Sequence, residues 1–182
     1  MLGTACNIKA ATAAACGAAA VGAASYRNTR EFGVFPPLLE PFSSAGSTPI
    51  IFDTAGQRLA IPQIRLKPEI VAPDRTNTTF FIPGFDIEAD GFPNFSGTSA
   101  AASHAAAVAA LMLQAVPSTA PERVYEILET TAIDMGPPGF DFDSGFGLIQ
   151  ADQALATLVG VPPEVIVDVR PRGEANRIQS QQ

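Results

Sequence analysis

Phe95-Ser-Gly-Thr-Ser-Ala-Ala-Ala-Ser-His104 sets a serine after Gly-Thr and directly ahead of an alanine-rich run. From Ala100 to Val116 there is no Gly or Pro and most residues are good helix formers, so the segment is predicted helical. Ser99 then falls at a helix N-terminus, where unpaired N–H groups and the positive end of the macrodipole favour negative charge. A serine in that place can serve as a nucleophile whose own N–H helps hold a tetrahedral oxyanion. Gly97 removes a side chain that would obstruct a substrate backbone. The competing reading is an N-cap, a common role for serine at a helix start. This stretch by itself leaves both open.

The flanking words extend the pattern. Lys67-Pro-Glu-Ile-Val-Ala-Pro-Asp74 lies upstream and Asp143-Ser-Gly-Phe-Gly-Leu-Ile-Gln-Ala-Asp-Gln-Ala-Leu155 downstream. Together with Gly97-Thr98-Ser99 and His104 these segments resemble, in order, the subtilisin-like serine peptidases. Ala19-Ala-Val-Gly-Ala-Ala-Ser25 and Phe42-Ser-Ser-Ala-Gly-Ser47 are similar to that family's preceding strand and loop, so the resemblance covers residues 17 to 159. It implies Ser99 as the catalytic nucleophile, Gly97 and Thr98 as substrate-binding residues, and a peptide or protein substrate. One departure is plain: Ser103 stands where the family has proline, which touches local rigidity more than chemistry.

A serine hydroxyl needs a positioned base. His104 is the chain's one histidine. It follows Ser99 by five residues, about 140° round the same helix, so the two side chains should not meet. The resemblance implies that His104 packs beneath the helix and that the triad's Asp and His come earlier in the chain. No histidine precedes Ser99. Asn7 is the one nearby candidate for the oxyanion-hole asparagine, and its spacing to Val21-Gly-Ala is too short. In subtilisin itself, loss of triad members lowers turnover by about 10⁴ to 10⁶. The chain therefore reads as the C-terminal portion of a peptidase catalytic domain, close to inert alone, whose partner is the missing N-terminal half.

Composition is compatible with this. Hydrophobic residues make up 47% of the 182 and charged residues 16%, enough to fill a core. The net charge of −7 with no basic cluster argues against nucleic acid. No apolar stretch is long and oily enough for a membrane span, and the signal-like Met1 to Ala24 is Ala/Gly-rich without a strongly hydrophobic centre. Cys6 and Cys16 fit either a disulfide or two buried thiols. The expected location is extracellular.

Along the chain, Ala18 to Ala24 reads as a buried strand, followed by an outer loop from Arg27 to Pro41. Thr48 to Phe52 and Arg58 to Ile64 form a hairpin about Asp53-Thr-Ala-Gly56. Glu69 to Ala72 is a strand of a parallel sheet, and Thr78 to Ile82 is the next strand candidate. Asp86, Glu88 and Asp90 alternate ahead of Gly91 like the opening of a calcium loop. The twelfth position is Gly97 instead of a bidentate acid, so a solvated turn lining the substrate cleft is the reading and calcium the minor alternative. No other cofactor or metal is expected.

Thr119-Ala-Pro-Glu122 is a predicted capping box, with Val124, Ile127, Leu128 and Thr131 as the buried stripe of its helix, ended by Gly136-Pro-Pro-Gly139. Asp141 and Asp143 sit on a Gly-rich turn and read as turn and cap residues instead of an acid/base pair. A last helix spans Ile149 to Leu158. From Gly160 the character changes: a Val161-Pro-Pro163 linker, an alternating Val165 to Pro171 and a polar tail suggest the cut-short start of a β-rich appended domain over 160–182, after the catalytic portion at 1–159.

An α/β-hydrolase elbow needs Gly two residues after the serine, where Ala101 stands, and a later histidine that is missing. Sedolisin-like peptidases share Ser96-Gly-Thr-Ser99 but lack a motif histidine like His104. They remain an alternative, as does a non-catalytic remnant or binding module that keeps the fold for packing. The expected fold is α/β and three-layered, a mainly parallel sheet with helices on both faces, truncated at its N-terminus. The activity is that of a serine endopeptidase.

Overall fold

The computed structural model describes residues 17–80 and 84–162. Cys6, Asn7, Cys16 and the alternating segment Val165 to Pro171 lie outside the described residues. In chain order the elements are β1 (Val21–Ser25), two 3-10 turns (Tyr26–Asn28 and Arg30–Phe32), β2 (Ile50–Phe52), β3 (Arg58–Gln63) and β4 (Ile70–Asp74). They continue with β5 (Thr76–Asn77), β6 (Asn94–Phe95) and the helices α1 (Thr98–Ala115), α2 (Pro121–Thr130) and α3 (Ala151–Val159).

β1 and β4 pair in parallel, from Val21 opposite Ile70 to Ser25 opposite Asp74. Both strands are nearly all buried, the composition of a strand covered on both faces. Alternation directs Ala23, Ile70 and Ala72 into the main core, which Ala101, Ala105 and Met112 of α1, Val124, Ile127 and Leu128 of α2, and Ala154 of α3 complete. Ala24 and Val71 fall on the other face with Leu148, covered by Leu39, Ile133 and Met135 from connecting segments. Among the described residues the helices share the first face. Alanines at 101 and 105 let α1 lie close to the sheet. This is the α/β arrangement expected, a parallel sheet with helices packed on it.

The expected hairpin is present: β2 and β3 are antiparallel, and Asp53 Oδ1 accepts the N–H groups of Ala55 at 2.9 Å and Gln57 at 2.8 Å across the turn.

Three local expectations need correction. The strand predicted over Thr78–Ile82 does not form at Thr78 to Phe80: the Thr78 N–H still donates to Pro93 O at 2.8 Å, but proline has no N–H to return, and the Thr78 hydroxyl takes the Phe80 N–H at 3.0 Å, offering the backbone a turn instead; residues 81–83 lie outside the described residues. The capping box is also absent: α2 starts at Pro121, its N-cap is Ala120, and the Thr119 hydroxyl donates to Val116 O at 2.7 Å. Pro121 needs no N–H partner at the first helical position, so the helix starts without that cap. Lastly, Ile149 is not helical. Val71 N–H donates to Gly147 O at 2.8 Å and Ile149 N–H to Val71 O at 3.0 Å, so residues 147–149 run along the second edge of β4 and α3 waits until Ala151. The open backbone groups of β4 required that partner.

The stripe on α2 holds for Val124, Ile127 and Leu128. Thr131 instead lies just past the end, half-buried, with its hydroxyl on Ile127 O at 2.7 Å, so α2 stops before Gly136. No helix among the described residues is long and apolar enough to cross a membrane.

Candidate active site

The site grows from the C-terminal end of β4. After Asp74 the chain turns through Arg75, whose φ is 59°, into the narrow β5–β6 ladder, where Thr76 faces Phe95 and Asn77 faces Asn94. Residues 78–80 and 84–93 lie outside this ladder, and the chain returns to the sheet end at Gly97. Gly97 has φ 115° and ψ 167°, a conformation that excludes a side chain, and it is the N-cap of α1. Its carbonyl accepts the N–H groups of Ala100 at 3.0 Å and Ala101 at 3.2 Å. Thr98 and Ser99 follow as the first two helical residues.

Ser99 is exposed. Because the cap position belongs to Gly97, the serine hydroxyl is not the cap, and helix geometry leaves the Ser99 N–H without a carbonyl four residues back. Thr98, one residue earlier, lines a cleft of about 450 Å³ whose walls include Val21, Gly22, Ser44, Gly46 and Lys67. Gly97 and Ser99 flank Thr98 in the same turn, and of these three residues Thr98 lines the cleft.

His104 is turned elsewhere. Nδ1 lies 2.9 Å from Ala100 O, and since a carbonyl can only accept, that nitrogen carries the hydrogen; Nε2 lies 3.3 Å from the Thr76 hydroxyl, which donates to it in the neutral ring. Its role is to pin α1 to β5. Ser103, in place of proline, donates its hydroxyl to Ser99 O at 3.0 Å, a back-bond within the helix.

The acidic loop is held by its own carboxylates. Asp86 accepts the N–H groups of Asp90 at 3.2 Å and Gly91 at 2.8 Å, Glu88 meets Arg27 at 3.2 Å and the Tyr26 hydroxyl at 3.1 Å, and Asp90 bonds Asn77 at 2.5 Å. Among the described residues no group of three or more His, Cys, Asp or Glu converges as a metal cluster. Asp141 likewise serves its turn, accepting from the N–H groups of Asp143 and Ser144, each at 2.7 Å, and from the Ser144 hydroxyl at 2.8 Å. Burial pushes its carboxyl up, but those three bonds outweigh it and hold the group below the ordinary aspartate range.

Sequence reasoning passed over a buried polar set around Asp74. Glu40 and Asp74 are buried; Arg75 approaches Glu40 with Nε 2.7 Å from Oε1 and Nη2 3.1 Å from Oε2. Asn94, also buried, donates to Arg75 O at 2.9 Å and Asn77 Oδ1 at 3.0 Å while accepting the Ile87 N–H at 2.6 Å. Asp74 closes the Lys67 word, and a carboxylate at the carboxyl end of a parallel strand was the available signal.

Comparison with known proteins identifies the family of this domain. The chain belongs to the subtilase family, whose family model matches residues 9–147. It is 43% identical over 61 residues to fervidolysin of Fervidobacterium pennivorans, covering 34% of this chain and 9% of that one. It is 37% identical over 65 residues to an extracellular serine protease of Serratia marcescens, covering 36% of this chain and 6% of the relative. The crystal structure of fervidolysin, described as a keratinolytic enzyme related to subtilisin, superposes with a TM-score of 0.51 at 25% identity over 76% of this chain and 19% of the other. The self-cleaved protease domain of PatA shares the fold, with a TM-score of 0.53 at 23% identity over 83% of this chain and 45% of that domain. The chain thus spans a small part of the relatives it matches.

Proposed function

We propose that this chain carries the nucleophile of a serine endopeptidase. Ser99 Oγ adds to a peptide carbonyl, its proton passes to a general base, and the C–N bond breaks with the proton delivered to the leaving amine. Water then releases the acyl group and restores the hydroxyl. The Ser99 N–H is the donor this chain offers to the oxyanion, and Gly97 and Thr98 form the floor on which the substrate backbone lies. The exposed position of Ser99 in the first turn of α1, behind a side-chain-free cap and beside the cleft at Thr98, is the observation that carries the reading.

With His104 engaged by Ala100 and Thr76, the base, its orienting acid and the second oxyanion donor come from sequence outside this chain, so the present polypeptide alone is close to inactive. The acyl-transfer chemistry itself calls for a hydroxyl, a base and N–H donors, and assigns no step to a metal or cofactor. The partners are a protein or peptide substrate and the remainder of the catalytic domain. A secreted location follows the character of relatives such as the Serratia extracellular protease.

A fluorophosphonate probe on the full-length protein tests the assignment. Labelling that disappears in Ser99→Ala is expected. No labelling of the unsubstituted protein would identify a scaffold that keeps the subtilase fold without its chemistry.

A further inference from the structure

We propose that Asp74 is a positioning residue for the nucleophile: its buried carboxyl group clamps the Gly97 amide, and through it the start of α1 and Ser99, to the end of the parallel sheet. The clamp stands on geometry alone; its consequence for catalysis rests on the nucleophile reading above.

Asp74 ends β4 at 0% exposure, and its Oδ2 accepts the Gly97 N–H at 2.9 Å. Gly97 hydrogen-bonds to both structures. Its N–H goes to the sheet end and its carbonyl caps the helix through Ala100 and Ala101. As a glycine it has wide backbone freedom, which a hydrogen-bond partner narrows to the observed φ of 115°. The neighbouring restraints stop short of it: Arg75 N–H reaches Phe95 O at 2.8 Å, and Asn94 Nδ2 reaches Arg75 O. Asp74 is the side chain that carries the sheet's rigidity the last two residues to the turn, and Ser99 lies two residues further on.

The second carboxyl oxygen marks the group as more than packing. Oδ1 is buried with no hydrogen-bond partner, an arrangement that destabilises a fold and calls for another explanation. Burial raises the Asp74 pKa above the ordinary aspartate range; the Gly97 amide lowers it, Glu40 raises it, and Arg75 and His104 lower it. What the carboxyl group supplies is an acceptor aimed at one backbone N–H beside the nucleophile.

The test uses the full-length protein and two readouts, hydrogen–deuterium exchange across residues 95–101 and the rate of fluorophosphonate labelling. Gly97 amide protection in the unsubstituted protein is expected; an unprotected amide there overturns the clamp whatever the variants do. Asp74→Ala, or Asp74→Leu where alanine does not fold, lacks an acceptor, and should exchange at Gly97 and label Ser99 at rates altered by at least about tenfold, faster and slower respectively. Asp74→Asn keeps a carbonyl acceptor and should stay within about threefold of the unsubstituted labelling rate while folding at least as stably at neutral pH. A folded variant without an acceptor that labels at the unsubstituted rate would sink the proposal. Absence of labelling in the unsubstituted protein would instead sink the nucleophile reading, with exchange at Gly97 still deciding the clamp.

Discussion

At Ser99 the two roles open to a serine at a helix start separate by two positions. Gly97 takes the cap, where its φ of 115° excludes other residues, and leaves the hydroxyl of Ser99 uncommitted to the helix. A second residue-scale consequence concerns Asp141. Its folded pKa is depressed, so its hydrogen bonds contribute stability above the unfolded value near 3.9, and that contribution is lost as pH falls through the lower folded value. Asp141→Asn, denied a charged acceptor for Asp143, Ser144 and the Ser144 hydroxyl, is expected to lower the thermal midpoint of the full-length protein at pH 7. The gap between the two proteins should close below about pH 3.9; a gap that persists unchanged into that range would show that charge is not the cause. The placing of Gly97, Thr98 and Ser99 at the head of α1 was legible because a helix start is written in consecutive residues. Asp74 was not, since its partner is 23 residues away.

The elements show where local signals were overruled. Val71 accepts neighbours on both sides, so residues 147–149 are drawn into extended backbone along β4 and α3 loses its expected first turn. The junction depends on Gly147. It has φ 108°, and a Cβ there would lie 2.0 Å from Ile133 O, with Leu148 and Ile133 exchanging backbone hydrogen bonds of 2.8 Å on the next residue. Gly147→Ala is therefore expected to cost about 2 to 4 kcal/mol, the sum of a strained backbone and a displaced strand, read by chemical denaturation of the full-length protein. A loss under about 0.5 kcal/mol, the usual range for surface substitutions, would mean the segment can leave β4 freely. The capping box failed for a related reason: Pro121 opens α2 without needing a donor's partner, and Thr119 found Val116 O closer at hand. Periodicity read the interior of α2 correctly because Val124, Ile127 and Leu128 are set by which face meets the core, not by which residue starts the helix.

For the whole molecule, the described residues build a small parallel sheet with helices on one face, while Phe32, Phe35 and Phe80 remain 57%, 69% and 80% exposed. Large exposed apolar side chains around so small a sheet favour association over isolation. Expressed alone, the 182-residue chain is expected in the insoluble fraction; a soluble product with a cooperative thermal transition would show otherwise. By itself the sequence determined the family, the parallel strands around Val21 and Ile70, the alanine-rich helix and the serine at its head, since each is encoded by neighbours within a few residues. Only the tertiary structure decided that Asp74 reaches Gly97, that His104 finds Thr76, and that residues 147–149 join the sheet. Those outcomes turn on buried backbone and polar groups finding partners across distant segments, a requirement that acts in space and leaves no period in the chain.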